Sequence, residues 1–330
     1  MPLLILLLTL SLNSWAKTLP ASQFQVTQDF IKQMVDKHQF DERELQLLFN
    51  SVELKVAEPS KDKKTTPKVK KKPLSWDRYR ELFLTQNRID NGVKFWQQHR
   101  LLLERAEQTY QIPASIIVAI LGIETNYGSK QGDRPTLQAL AQKGLSQHRR
   151  QKFYRQELEH FLLLVRANNL APLKIKGSWA GALGYAQFIP SSYRHYAIDF
   201  DQDGRVDLFN STADAIGSIA HYFDQHHWHD GGDIVYPVTL KQAHLKLAKT
   251  GTNKPRKTAQ YYRELGVDLT ADINDKSKVA LIRMPQDQRL DTYASLWNFY
   301  VLTRYNHDNR YAMAAYELSQ AIEQLYLQSN

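Results

Sequence analysis

The 330 residues are 42% hydrophobic and 23% charged, an ordinary globular balance with material for one large unit or a few subdomains. The absence of cysteine excludes disulfides and thiol chemistry. A formal net charge of +9 favours an anionic partner, and by itself it admits nucleic acid, a membrane surface or an acidic cell-wall polymer.

In chain order, Leu3 to Leu12 is an apolar run of signal-peptide length, too short to span a bilayer. Ser14-Trp15-Ala16 follows with small residues suited to cleavage after Ala16, so an export signal over 1–16 is expected. No cysteine follows the run, so no lipid anchor is expected, and no later segment reads as transmembrane. Residues 17–58 read as an N-terminal helical segment. Phe30, Ile31, Met34 and Val35 form one helical face, and Asp41 with Glu44 forms a capping box before Leu45, Leu48 and Phe49. The stretch 59–73 carries Lys61, Lys63, Lys64, Lys68, Lys70, Lys71 and Lys72 and reads as a solvated loop. No aromatic is interleaved with these lysines, which argues against a nucleic-acid site.

Residues 74–230 read as a helical core. Ser75 caps a helix with Trp76, Tyr79, Leu82 and Phe83 at helical spacing, and one further helix runs from Val93 through Leu103 toward Tyr110. Pro113 then opens a helix whose Ile116, Ile117, Ile120, Leu121 and Ile123 make a wide apolar face, with Gly128 as its expected stop. Glu124 falls in the last turn, where desolvation and the negative end of the helix dipole both disfavour its charge. Two readings fit: a carboxylic acid kept protonated for general acid work, or a helix-end Glu reaching solvent or an Arg. Helices near Arg134–Gln142 and over Gln151–Ala167 follow, with no strand expected up to this point.

The segment Gly177–Tyr193 is rich in small residues, which suit either a closely packed helix pair or a backbone against which a sugar chain lies. In it, Tyr185 and Gln187 offer a flat aromatic and an amide. Asp199, Asp201, Asp203 and Asp207 then stand at positions 1, 3, 5 and 9 of an EF-hand-like loop, with Gly204 at 6. Asn210 replaces the usual final Glu, so closure of the loop (199–214) is assigned to Asp214, with Arg205 able to ligate only through its carbonyl. Calcium, in a structural role, is the expected ion, with an Asx-rich turn as the alternative. His221, His226, His227 and His229 match no common metal spacing. Residues 231–290 read as a small α+β insertion with strands at Ile234–Val238 and Val279–Ile282 and a helix near Thr258–Leu265. Residues 291–330 return to helix from Ser295 and carry Tyr305, Asn306 and Tyr311, residue types suited to sugar stacking and hydroxyl recognition.

From about Trp76 onward the chain resembles the lytic murein transglycosylases of the membrane-bound B type, within the lysozyme-like superfamily. The blocks that carry the resemblance are 117–128, 181–193, the Asp-rich loop and 298–306, in the family's order. It implies a mainly α, lysozyme-like core and a lone catalytic acid/base at Glu124. That residue would cleave the MurNAc–GlcNAc bond of peptidoglycan without water, giving a 1,6-anhydro product. Ser178, Gln187, Tyr305, Asn306 and Tyr311 would line the cleft, and Tyr79, Arg149, Arg150 and Tyr222 would contact glycan or peptide. It further implies a periplasmic location, no organic cofactor, and other cell-wall remodelling proteins as candidate partners. A hydrolytic muramidase and a non-catalytic wall-binding protein are the alternatives.

Overall fold

The computed structural model describes residues 18–55 and 74–329. The expected export signal and the Lys-rich loop lie outside the described residues. At the N-terminus, β1 (Thr18–Pro20) pairs antiparallel with β2 (Glu53–Lys55) and brackets α1 (Gln25–His38) and α2 (Glu42–Asn50). The Asp41 carboxylate accepts from the Glu44 N–H at 2.8 Å, the capping contact that the sequence predicts. Phe30, Ile31, Met34, Leu45 and Phe49 are buried between the two helices. This unit is tied to the rest through Glu159, which takes Lys37 at 2.7 Å and Gln33 at 2.8 Å.

The core helices follow as α3 (Trp76–Glu81), α4 (Gln86–Gln98), α5 (Arg100–Tyr110) and α6 (Ala114–Thr125). Ser75 stands at the N-cap of α3, but its hydroxyl makes no capping bond. The single helix expected through Val93–Tyr110 is two, broken at His99, whose backbone leaves helical geometry (φ −113°, ψ 23°). Then come β3 (Arg134–Pro135), α7 (Thr136–Gly144), α8 (Gln151–Ala167), β4 (Lys176–Gly177), α9 (Pro190–Tyr196) and α10 (Thr212–Gln225). β3 and β4 pair antiparallel, so short strands do occur where none was expected.

The excursion beyond α10 holds β5 (Val235–Pro237), β6 (Lys257–Thr258), α11 (Ala259–Glu264), β7 (Lys278–Pro285) and β8 (Leu290–Ser295). Its four-stranded sheet has the order β5-β8-β7-β6. It has its own core, including Val238, Tyr262, Val267, Val279 and Leu281. The insertion therefore extends to Ser295, beyond the expected limit at residue 290, because β8 completes the sheet by pairing with β5 and β7. The chain then returns to the core as the expected C-terminal helices, α12 (Trp297–Tyr305) and α13 (Asn309–Gln328). Asp308 separates them and caps α13 through the Arg310 N–H at 2.8 Å.

α6 is the hub of this mainly helical fold. Every residue from Ala114 to Gly122 is buried, apolar on all sides as a central helix must be. It packs on α13, α4, α5 and α10. Its C-terminus is stopped by three successive left-handed residues, Asn126 (φ 48°), Tyr127 (φ 59°) and Gly128 (φ 87°). The stop thus begins two residues before the expected glycine. The Asn126 and Tyr127 N–H groups satisfy the Gly122 and Leu121 carbonyls, and Arg88 Nε also donates to the Gly122 carbonyl at 3.0 Å. Gly128 is required twice over, since a Cβ there would collide with the Tyr185 ring.

Candidate active site

The stop after Thr125 leaves Glu124 in the last turn of a buried helix, facing the start of α13. The Tyr311 hydroxyl donates to Glu124 Oε1 at 2.6 Å. Burial pushes the Glu124 carboxyl up from the ordinary 4.5 to about 7, and the Tyr311 hydrogen bond opposes that rise. No carboxylate among the described residues contributes to the shift. With Oε1 occupied by Tyr311, Oε2 is the oxygen that can carry a proton outward.

Aromatic rings build one wall. Tyr311 is 2% exposed, and its ring runs parallel to that of Tyr305 at 6.3 Å and 6°. The Tyr305 hydroxyl donates to the Ala186 carbonyl at 2.6 Å. Burial first, and then the Glu124 charge, hold both phenols well above their ordinary range, so they act as donors at any working pH. Tyr79 is pushed up to about 12 by burial, then by Asp308, with a contribution from Glu124. Its ring lies 4.9 Å from the Arg310 guanidinium. Asn306 is exposed just after α12.

The Gly177–Tyr193 segment is neither a helix pair nor an open surface. It is an irregular loop held by a Leu183–Phe188 bridge and running into α9. Its small residues allow close backbone approach: a Cβ at Gly184, which has φ 65°, would collide with the Leu208 carbonyl. The Ser178 Oγ accepts from Ala182 N at 3.0 Å and so shapes its own turn. Gln187 Nε2 donates to the carbonyls of Gln131 (3.0 Å) and Gly184 (2.9 Å), which leaves Oε1 as the group open to a ligand. Thr125, which the sequence did not single out, links this loop to the helix of Glu124. Its hydroxyl accepts from Gly128 N at 2.9 Å and donates to the Tyr185 carbonyl at 3.1 Å.

Three expected contact residues stand back from the Glu124–Tyr311 pair. Tyr222 is 6% exposed, stacks on His226 at 4.1 Å and donates to the Arg304 carbonyl at 2.7 Å. It is a core residue rather than a cleft residue, because its hydroxyl is spent on the backbone. Arg149 and Arg150 sit in the exposed turn before α8, where the Arg150 guanidinium lies 4.0 Å over Phe153.

The chain that carries this site is similar to known proteins. The transglycosylase SLT domain matches residues 22–320. The chain belongs to that family. It is 37% identical over 300 residues to the membrane-bound lytic murein transglycosylase B of Escherichia coli K12, covering 89% of this chain and 82% of that one. Among solved structures it is similar to the soluble lytic transglycosylase SltB1 of Pseudomonas aeruginosa (TM-score 0.81, 36% identity, 92% of this chain and 99% of that one). It is similar also to the Escherichia coli lytic transglycosylase Slt35 in complex with calcium (TM-score 0.80, 35% identity, 92% and 95%). The lysozyme-like helical core expected from the sequence is thus the fold of this SLT domain.

In the SLT domain's acidic loop, oxygens of Asp199, Asp201 and Asp214 lie within 4.8 Å of one another. Asp203 and Asp207 stand outside that group. Asp203 Oδ1 accepts from Arg205 N at 2.8 Å, and Asp207 Oδ1 accepts from Phe209 N at 2.8 Å, so both cap local turns. Arg205 is exposed. Asp214, 1% exposed at the start of α10, receives Phe200 N (2.8 Å) on one oxygen and Asp207 N (2.7 Å) on the other. The histidines form no metal group among the described residues. His221 Nδ1 lies 2.9 Å from the Tyr196 carbonyl and His226 Nδ1 2.7 Å from that of Tyr222. No helix among the described residues is long and apolar enough to cross a membrane.

The raised Glu124 carboxyl has a cost in stability. Below pH 4.5 both folded and unfolded chains hold the proton; between 4.5 and about 7 only the unfolded chain releases it. Stability therefore falls as pH rises through this window, by about 3 kcal/mol in all. Glu124→Gln carries no such penalty. In urea unfolding the variant is expected to exceed wild type by roughly that amount at pH 8, with the difference vanishing near pH 4.

Proposed function

We propose that this SLT-domain protein cleaves peptidoglycan glycan strands without water, with Glu124 as a single acid that acts twice. The observation that carries the reading is geometric: Glu124 stands half-buried in the last turn of the apolar α6, with the Tyr311 phenol as its hydrogen-bond partner among the described residues, and burial pushes its carboxyl up to about 7. Protonated, Glu124 gives its proton from Oε2 to the glycosidic oxygen as the bond from C1 of N-acetylmuramic acid breaks and N-acetylglucosamine leaves. Positive charge grows at C1, and the substrate's own N-acetyl carbonyl is placed to share it. Glu124, now a carboxylate supported by the Tyr311 hydroxyl, takes the proton from the muramoyl 6-hydroxyl. That oxygen closes onto C1, giving the 1,6-anhydro ring and returning Glu124 to its starting state. Gln187 Oε1, Ser178, Tyr79, Tyr305 and Asn306 line the path of the glycan, with Arg149 and Arg150 at its periphery. The substrate lies outside the cytoplasmic membrane, which supports a periplasmic setting and contact with other cell-wall remodelling proteins.

The oxygen donors of Asp199, Asp201 and Asp214 fit a calcium ion, a hard cation that prefers carboxylate ligands. The like charges gathered there repel one another until a cation is bound. Such an ion would neutralise them and fix the loop, a structural role consistent with the calcium complex of Slt35. Its ligands would be these three carboxylates, with the Arg205 carbonyl and Asp203 or Asp207 as further candidates.

Three measurements test this reading. Digested sacculi should yield muramoyl ends one water lighter than hydrolysed ends, and Glu124→Gln should lower the rate by about three orders of magnitude or more. Reducing ends alone would establish a hydrolase, and binding without turnover in both proteins a wall-binding module. Tyr311→Phe removes the interaction that lowers the Glu124 pKa, so the alkaline limb of activity should move above about 7 while the maximal rate falls. Chelation should lower the melting temperature more than the activity per folded molecule, and melting unchanged by chelator and dialysis would count against the ion.

A further inference from the structure

A cavity of about 760 Å³ opens where β7 of the insertion meets the start of α13 and the residues leading into α3. Three arginines line it. Arg78 has Asp287 at 3.1 Å and Arg310 has Asp308 at 2.5 Å. Arg283, half-buried on β7, has no carboxylate partner among the described residues, although its backbone is fixed by an N–H bond to the Lys249 carbonyl at 2.9 Å. On the opposite wall Asn309 is 2% exposed and spends its Nδ2 on the Thr250 and Gly251 carbonyls at 3.2 and 3.0 Å. Among the described residues its buried Oδ1 has no donor, and the Ser75 hydroxyl of a residue lining the same cavity has no partner. A cation without an anion and an acceptor without a donor therefore border one space.

This space adjoins the catalytic cleft. Arg310 lines the cavity and also lies over Tyr79, whose hydroxyl feels the Glu124 charge. A ligand bridging the two would present both a carboxylate and an amide N–H. The wall carries Asp287 and Asp308 as well as the arginines, which suits a zwitterionic peptide better than a polyanion such as phosphate. We infer that the cavity is a subsite for the peptide stem of a muramoyl residue bound on the Tyr79 side of the cleft, with a stem carboxylate on Arg283 and a stem amide N–H on Asn309 Oδ1. The α+β insertion, through β7, thereby reads whether the glycan carries its peptide. This inference rests on the peptidoglycan reading above and adds a specificity determinant to it.

The test compares full-length wild type, Arg283→Gln and Arg283→Lys on two substrates: glycan strands bearing stems, and the same strands stripped of stems by an amidase. Arg283→Gln is expected to raise KM for stem-bearing strands about ten-fold, the loss of one charge-assisted contact, with kcat unchanged. Kinetics on stripped strands should match wild type, and Arg283→Lys should recover part of the loss. In parallel, calorimetry with the free tetrapeptide L-Ala-D-isoGlu-diaminopimelate-D-Ala should show binding to wild type that weakens in Arg283→Gln. Equal effects on both substrates, or none on either with unchanged peptide binding, would overturn the subsite. Wild type inactive on both substrates would instead overturn the proposed reaction, and the calorimetric comparison would still decide whether the cavity binds stems.

Discussion

The structure turns on a carboxyl group held at the end of an apolar helix and given one donor from the far side of the chain. Glu124 and Tyr311 are 187 residues apart in sequence and 2.6 Å apart in space. That bond exists only because α13 docks along α6, burying Ala312, Ala315, Leu318 and Ile322, and because α6 ends where it does. Arg88, Thr125 and the three left-handed residues all serve that ending. Each satisfies a backbone group that would otherwise compete for Glu124 or bring water to it. The result is a site whose dryness, and hence whose acidity, is set by helix packing rather than by a neighbouring charge.

Much of this was legible in the sequence where periodicity and chemistry agree. The helix over Gln151–Ala167 has the predicted ends, and Asp41 caps where an acid before a periodic run should. Other elements were hidden for identifiable reasons. The apolar pattern continues past His99, so the break between α4 and α5 leaves no trace in composition. β8 begins with Leu290-Asp291-Thr292, in which a charged residue and a short alternation mask a strand that is defined by its neighbours. At the site, the apolar surroundings of Glu124 could be read from spacing, while its partner Tyr311 came only through resemblance. Thr125 gave no signal beyond being next in line, because its role depends on a loop 60 residues away. Tyr222 also came only through resemblance, and here its ring packs against Tyr305 while its hydroxyl goes to the Arg304 carbonyl.

The acidic loop is also joined to the cleft. The Leu208 carbonyl accepts from Tyr185 N at 2.8 Å, and the Phe209 carbonyl accepts from Gln131 Nε2 at 3.0 Å. Gln131 in turn offers its own carbonyl to Gln187. The carboxylate cluster and the amide that faces the cleft are thus two ends of one short hydrogen-bonded strut. The loop and Gln187 are thereby joined through Gln131 rather than by a direct contact.

The insertion leaves and rejoins the core at a single place. Val235 near its beginning lies opposite Ser295 at its end, because β5 and β8 are paired neighbours in one sheet. In chain path, some sixty residues therefore leave and return side by side, while Asn309 and Arg78 hold the far side of the excursion against the helices. Such an attachment lets the excursion lengthen, shorten or change sequence while the path of α10 into α12 stays fixed. A lineage can in this way vary the insertion while the acid and its phenol remain where the helices hold them.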